Sequence, residues 1–98
     1  MDGQSNRVSF LCFGPKHVIA VCGINKIAPD LEGAIKRIKQ VATPKNAVSR
    51  KSDAPCAKTG VCTDCRAPRR LCCNLVITSF SRVPGRITVG LIDEELGF

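Results

Sequence analysis

Five of the chain's seven cysteines fall between positions 56 and 73, in a stretch without hydrophobic periodicity. No other feature constrains the fold as much. Residues 43–72 read as one cysteine-rich loop, and a loop that long with no structure of its own is unusual inside a compact domain. Something must organise it. The spacing is Cys56-x5-Cys62-x2-Cys65-x6-Cys72-Cys73. The Cys62-Thr63-Asp64-Cys65 step lets two thiolates on a tight turn reach one centre, and Gly60 and Pro68 help the backbone fold round it. Cys56, Cys62, Cys65 and Cys72 are the candidate ligands of a zinc ion or an iron–sulfur cluster. The fit to either template is incomplete: a zinc ribbon supplies two CxxC steps, and the bacterial ferredoxin run is tighter. Cys73 adjoins Cys72 and is read as the start of a strand.

Other readings of the same residues stay open. A redox-active Cys62/Cys65 dithiol is one, with Arg66 favouring the thiolate. Free structural thiols are another. Disulfides need an oxidising compartment that nothing in the sequence supports. Cys12 and Cys22 are expected inside strands as small buried hydrophobes.

Charge is concentrated on the same region. Ten basic residues lie between Lys36 and Arg70 against only Asp53 and Asp64, giving that segment +8 and the rest of the chain −1, for a net +7. Such a field attracts small anionic ligands or an acidic partner, or is simply a solvated basic face. Arg66, Arg69 and Arg70 would offset a negative thiolate centre. Nucleic acid is not the expected partner, because the chain has four Phe and no Trp or Tyr on which to stack bases. No apolar run is long enough for a membrane span, and the N-terminal VSFLCF is too short for a signal peptide. The expected location is the cytoplasm.

Val8–Phe13 and Val18–Cys22 read as a strand hairpin about Gly14-Pro15, the second strand being apolar throughout and expected to be buried on both faces. Leu31, Ala34, Ile35, Ile38, Val41 and Ala42 form a helical stripe, with Pro29 in the first turn and Pro44 as the stop. Asn74–Ser81 and Arg86–Ile92 read as two more strands, joined by a type II turn at Val83-Pro84-Gly85. The order is β-β-α-(Cys loop)-β-β, an α/β arrangement in a single domain over residues 1–98. One helix covers only one face of such a sheet, so the chain is expected to be part of a larger layered domain. An isolated copy should self-associate. His17, the sole histidine, is read as a solvated loop residue. Gly23, Asn25 and Lys26 follow a buried strand and precede a helix, where open α/β sheets place ligand loops. Lys26 is the candidate to hold a phosphate or carboxylate, unless it is only an exposed lysine at a helix entry.

A family pattern runs through these residues. It comprises Asn6-Arg7-Val8, CFGPKHVIAVCGINKI (12–27), Ala34, Arg37, Pro44-x-Asn46 and the Pro55–Cys65 cysteine block. Leu71-Cys72, Pro84-Gly85-Arg86-Ile87 and Leu96-Gly97-Phe98 complete it. In that order they resemble the C-terminal half of an LUD-domain protein, the lactate-utilisation family long classed as a domain of unknown function. The resemblance implies a partial fold similar to the NagB/RpiA/CoA-transferase group, with further βα units upstream. It implies an accessory role in bacterial carbon and redox metabolism beside iron–sulfur redox partner proteins, and no catalytic residue is carried over. Two alternatives stand beside it. One is a fragment of an enzyme acting on a phosphorylated or CoA-type anionic substrate. The other is a zinc-stabilised binding module.

Overall fold

The two strands among the described residues are far apart in sequence and adjacent in space. A computed structural model describes residues 7–98; Asn6 of the family pattern lies outside the described residues. In it β1 (Val18–Gly23) pairs in parallel with β2 (Ile87–Ile92), from Val18 opposite Ile87 to Gly23 opposite Ile92. Parallel neighbours cannot be joined by a tight turn, so a long helical crossover separates them. The helices are α1 (Arg7–Cys12), a 3₁₀ turn (Ile24–Lys26), α2 (Leu31–Arg37), a π turn (Ile38–Ala42), α3 (Thr43–Ser49) and α4 (Cys56–Thr59). The result is a small α/β unit, and its element order replaces the β-β-α-loop-β-β expectation.

The first strand of that expectation is helix. Val8, Leu11 and Cys12 share a face at helical spacing, and a run this short does not distinguish the two periods. What decides is Arg86. Its guanidinium donates to the main-chain oxygens of Leu11 (2.7 Å), Phe10 (3.2 Å) and Pro15 (3.0 Å). It thereby satisfies carbonyls that the end of α1 leaves open. Cys12 is consequently exposed, not buried. No hairpin forms; the expected partner of β1 has left the sheet.

Asn74–Ser81 does not form a strand either: Asn74 makes a single bridge and residues 75–81 have no strand structure. Leu75, Ile77 and Phe80 are exposed, and no neighbouring strand among the described residues pairs with them. The turn that follows is as expected: Arg86 N–H donates to Val83 O at 3.2 Å, and Gly85 takes φ +71°, the type II geometry that favours glycine. β1 is not buried on both faces. Ile19 is 74% exposed and Val21 62%, because nothing among the described residues stacks on that side.

The amphipathic helix starts as its sequence implies and ends later. Asp30 is the N-cap, accepting from Gly33 N–H at 2.7 Å, so Pro29 lies just before the helix and not in its first turn. Pro44 does not stop it. The π turn lets Thr43 N–H reach back to Ile38 O, which widens the ladder just where the proline ring would meet a carbonyl. Asn46 Nδ2 then donates to Ala42 O at 2.8 Å, and helix continues to Ser49. The expected loop therefore begins as α3.

The buried core is small. Ala47 of α3 packs with Ala54 and Cys56, and Ala57, Cys65, Ala67 and Leu71 close over them. The core thus lies between α3 and the cysteine segment, not between helix and sheet.

Candidate functional site

Polar ties, more than burial, shape the cysteine segment. Ser52 N–H donates to Ala47 O, while its hydroxyl donates to Arg69 O (3.0 Å) and accepts from Ala54 N–H. One short side chain so pins both ends of the segment. The α4 turn follows and ends at Gly60, whose φ of +72° provides the left-handed cap. These bonds correct the expectation of a loop with no structure of its own.

Arg70 is the centre of the segment. Its side chain is 15% exposed. It donates to Cys65 O, to Cys72 O (3.1 Å), to Asp64 Oδ1 (3.3 Å) and to Cys72 Sγ (3.2 Å). The hydrogen bond to Cys72, with the one to Asp64, holds the guanidinium charged above its usual range. Arg70 Nε is buried and has no hydrogen-bond partner among the described residues. Asp64 also reaches Lys39 at 4.0 Å, linking the segment to the long helix.

Three of the four candidate ligands, Cys62, Cys65 and Cys72, lie beside this guanidinium. Cys56 opens α4 and is buried; Cys62, Cys65 and Cys72 are half-buried. Cys65 packs on the core that contains Cys56, and Cys62 and Cys72 line one cavity of about 220 Å³ with Arg70. Asp64 takes φ +50°, and its N–H points at Cys62 Sγ, 3.5 Å away. A backbone donor aimed at the first sulfur of a CxxC step is what a bound thiolate needs. Burial, and then the nearby Cys65, Cys62 and Cys72, push the Cys56 thiol up from its ordinary pKa. As placed, no three His, Cys, Asp or Glu side chains among the described residues converge as a metal cage. The donor chemistry is that of a thiophilic metal. Cys73 is exposed and belongs to no strand.

The second candidate group is at the other end of the helix. Gly23 ends β1 and Asn25 and Lys26 form the 3₁₀ turn, the position expected of them. Asn25 accepts from Leu96 N–H (3.3 Å) and donates to Gly97 O (3.1 Å), and Lys26 donates to Phe98 O. Gly23 is required there, since a β-carbon would stand 2.3 Å from Glu94 O and 2.6 Å from Leu96 N. Arg37 joins the same Phe98 oxygen at 3.4 Å. Its part was not legible from spacing, although it belongs to the basic run beginning at Lys36. His17 is an exposed loop residue.

A small α/β unit with a thiol-rich segment and a basic turn defines the class. Within that class the chain belongs to the LUD-domain family, a lactate-utilisation-related family, whose model matches residues 1–92. No curated protein and no solved structure matches it. No helix among the described residues is long and apolar enough to cross a membrane.

Proposed function

We propose that the chain is an accessory component of lactate-utilisation-type carbon and redox metabolism, with a metal or iron–sulfur centre on Cys56, Cys62, Cys65 and Cys72. The observation that carries this reading is the pair of donors already aimed at sulfur: Asp64 N–H at Cys62 and the Arg70 guanidinium at Cys72. Thiolates round a divalent ion or a cluster retain negative charge, and both donors offset it. The bound group would supply a redox couple if it is a cluster, or folding free energy alone if it is zinc. The chain's own part is to bring the four thiols inward from where they lie.

Protein purified without oxygen or chelator, and assayed for iron, sulfide and zinc, tests this. Iron with equimolar sulfide and absorbance in the visible supports the redox reading. Zinc alone turns it to the zinc-stabilised module. Cys62→Ser and Cys72→Ser should each release the metal, whereas Cys12→Ser, on exposed α1, should keep it. A chain holding neither iron nor zinc overturns the proposal and favours the dithiol.

A further inference from the structure

Three basic side chains from three elements meet beside the 3₁₀ turn. Lys26 comes from the turn itself, Arg37 from the end of α2 and Lys45 from the first half of α3. Lys26 Nζ and Arg37 Nη1 share the main-chain oxygen of Phe98, and Lys45 Nζ stands 6.0 Å from the Phe98 ring centre. The ion pairs among the described residues are those of Asp64 with Lys39 and Arg70, so none of the three cations is in one. Desolvation, and then the nearby Arg37, pull the Lys26 pKa below its ordinary value, with Lys45 adding to them and Cys22 and Glu95 opposing. Collecting like charges is unfavourable unless an anion offsets it.

Lys26, Arg37 and Phe98 line a cavity of about 310 Å³ whose other walls are Ala34, Ile38, Ala42 and Asn46; Lys45 stands outside this lining. That size is at the lower end of small-molecule sites. Its two halves differ in chemistry: cations on the rim, aliphatic carbon on the floor. A bare inorganic anion would use only the rim. An acceptor oxygen on an apolar body would use both, and Phe98 already presents that combination. Asn25 holds the preceding residues through bonds to Leu96 and Gly97.

We propose that Lys26 and Arg37, with Lys45 near the Phe98 ring, form a binding site for a small organic carboxylate, and that Leu96–Phe98 is a strap whose Phe98 lies in the site and is displaced by the ligand. The site is separate from the thiol cluster and independent of whether metal binds there. A ligand shifts the strap only by its preference for the open form, so weakening the strap tightens apparent binding.

The test uses the full chain titrated with 3-phenylpropionate, whose ring and acceptor oxygens stand in for the ring and main-chain oxygen of Phe98, and separately with inorganic phosphate. Amide signals of Leu96 and Gly97 report the strap. Phenylpropionate should move both signals and bind in preference to phosphate. Phe98→Ala should tighten it about five-fold by loosening the strap. Lys26→Met and Arg37→Met should each weaken it about ten-fold or more, since each removes a charge-assisted bond. Arg37→Lys, which keeps the charge, should retain part of the affinity, and guards against a misfolded Arg37→Met. Equal binding of phosphate would show an unselective cation patch and overturn the carboxylate assignment. No binding to wild type or to Phe98→Ala, or full affinity in Lys26→Met, would overturn the site.

Discussion

The sheet and the cysteine segment of this molecule are held by opposite means. The β1–β2 pair has a regular parallel ladder, yet Ile19, Val21, Val89 and Leu91 stand in solvent. The cysteine segment has almost no regular structure, yet it contains the buried residues Ala54 and Cys56. Backbone pairing without cover gives a sheet its geometry but little burial free energy, and two strands alone are marginal in water. Side-chain bonds to main-chain groups, as Ser52 and Arg70 make, give an irregular segment a single conformation without a ladder. The conformationally defined part of the described chain is therefore the one the sequence marks as loop.

The sharpest way to break this comparison is to remove Arg70. Arg70→Ala leaves the Cys65 and Cys72 carbonyls and Asp64 without their shared donor. The expected destabilisation is the largest of the set, because several acceptors lose one donor at once. It should be measured by denaturant melting in chelator-treated protein, so that bound metal does not mask it. Limited proteolysis should cut between residues 57 and 72. An unchanged melt and an intact segment would mean that the ties are incidental.

Next is the core itself. Ala47 is 1% exposed against Ala54 and Cys56. Ala47→Leu should cost roughly 1–3 kcal/mol by overpacking, and the same melts measure it. If the larger side chain is accommodated freely, the segment is looser than its hydrogen bonds imply.

How much of this was legible in the sequence follows the same division. The helix from Asp30 was legible because its apolar positions repeat at 3.6 residues, and β2 with its type II turn because proline and glycine fix two dihedrals. β1 was legible as a strand but not in its partner: residues 18–23 say nothing of residues 87–92 until the chain is folded. α1 was lost because Val8–Phe13 suits either period and Arg86, far along the chain, decides. The passage of helix through Pro44 was lost because a π turn has no sequence signature of its own. At the candidate site, the cysteine block stood out by spacing and Arg70 as one of three arginines expected to offset its charge, while Ser52 did not. The ties of both to carbonyl oxygens were not legible, since every residue has one. Asn25 and Lys26 were legible by position; that Leu96–Phe98 lies on them is tertiary.

Between the two regions in expected effect is Gly23. An alanine β-carbon there would stand 2.3 Å from Glu94 O, and that backbone has to move. Gly23→Ala should cost about 1–2 kcal/mol, in the range for an added methyl in a filled space. It should also expose Leu96 N–H to exchange, by separating it from Asn25 Oδ1. If exchange at Leu96 is unaltered while stability falls, the strain has gone into β1 and the strap is held otherwise.

The smallest effect is expected at a large apolar side chain that is already exposed. Ile19 lies in the middle of β1 and is 74% exposed. Paired residues of a ladder share a face, so Ile19 stands beside Thr88, which already has a hydroxyl there. Ile19→Thr keeps the β-branch that the pleat favours and removes only carbon already in water. Stability should therefore change by less than about 0.5 kcal/mol. Sedimentation of the same two proteins gives the second half of the result. Copies of the chain that associate through this face should do so less in the variant, since exposed apolar surface drives such contact. A loss well above 1 kcal/mol at low concentration would show that Ile19 is covered within one chain, and the contrast between uncovered sheet and tied loop would fail. A large loss only at high concentration would place the missing cover on a second copy, and the sheet would then be finished by association.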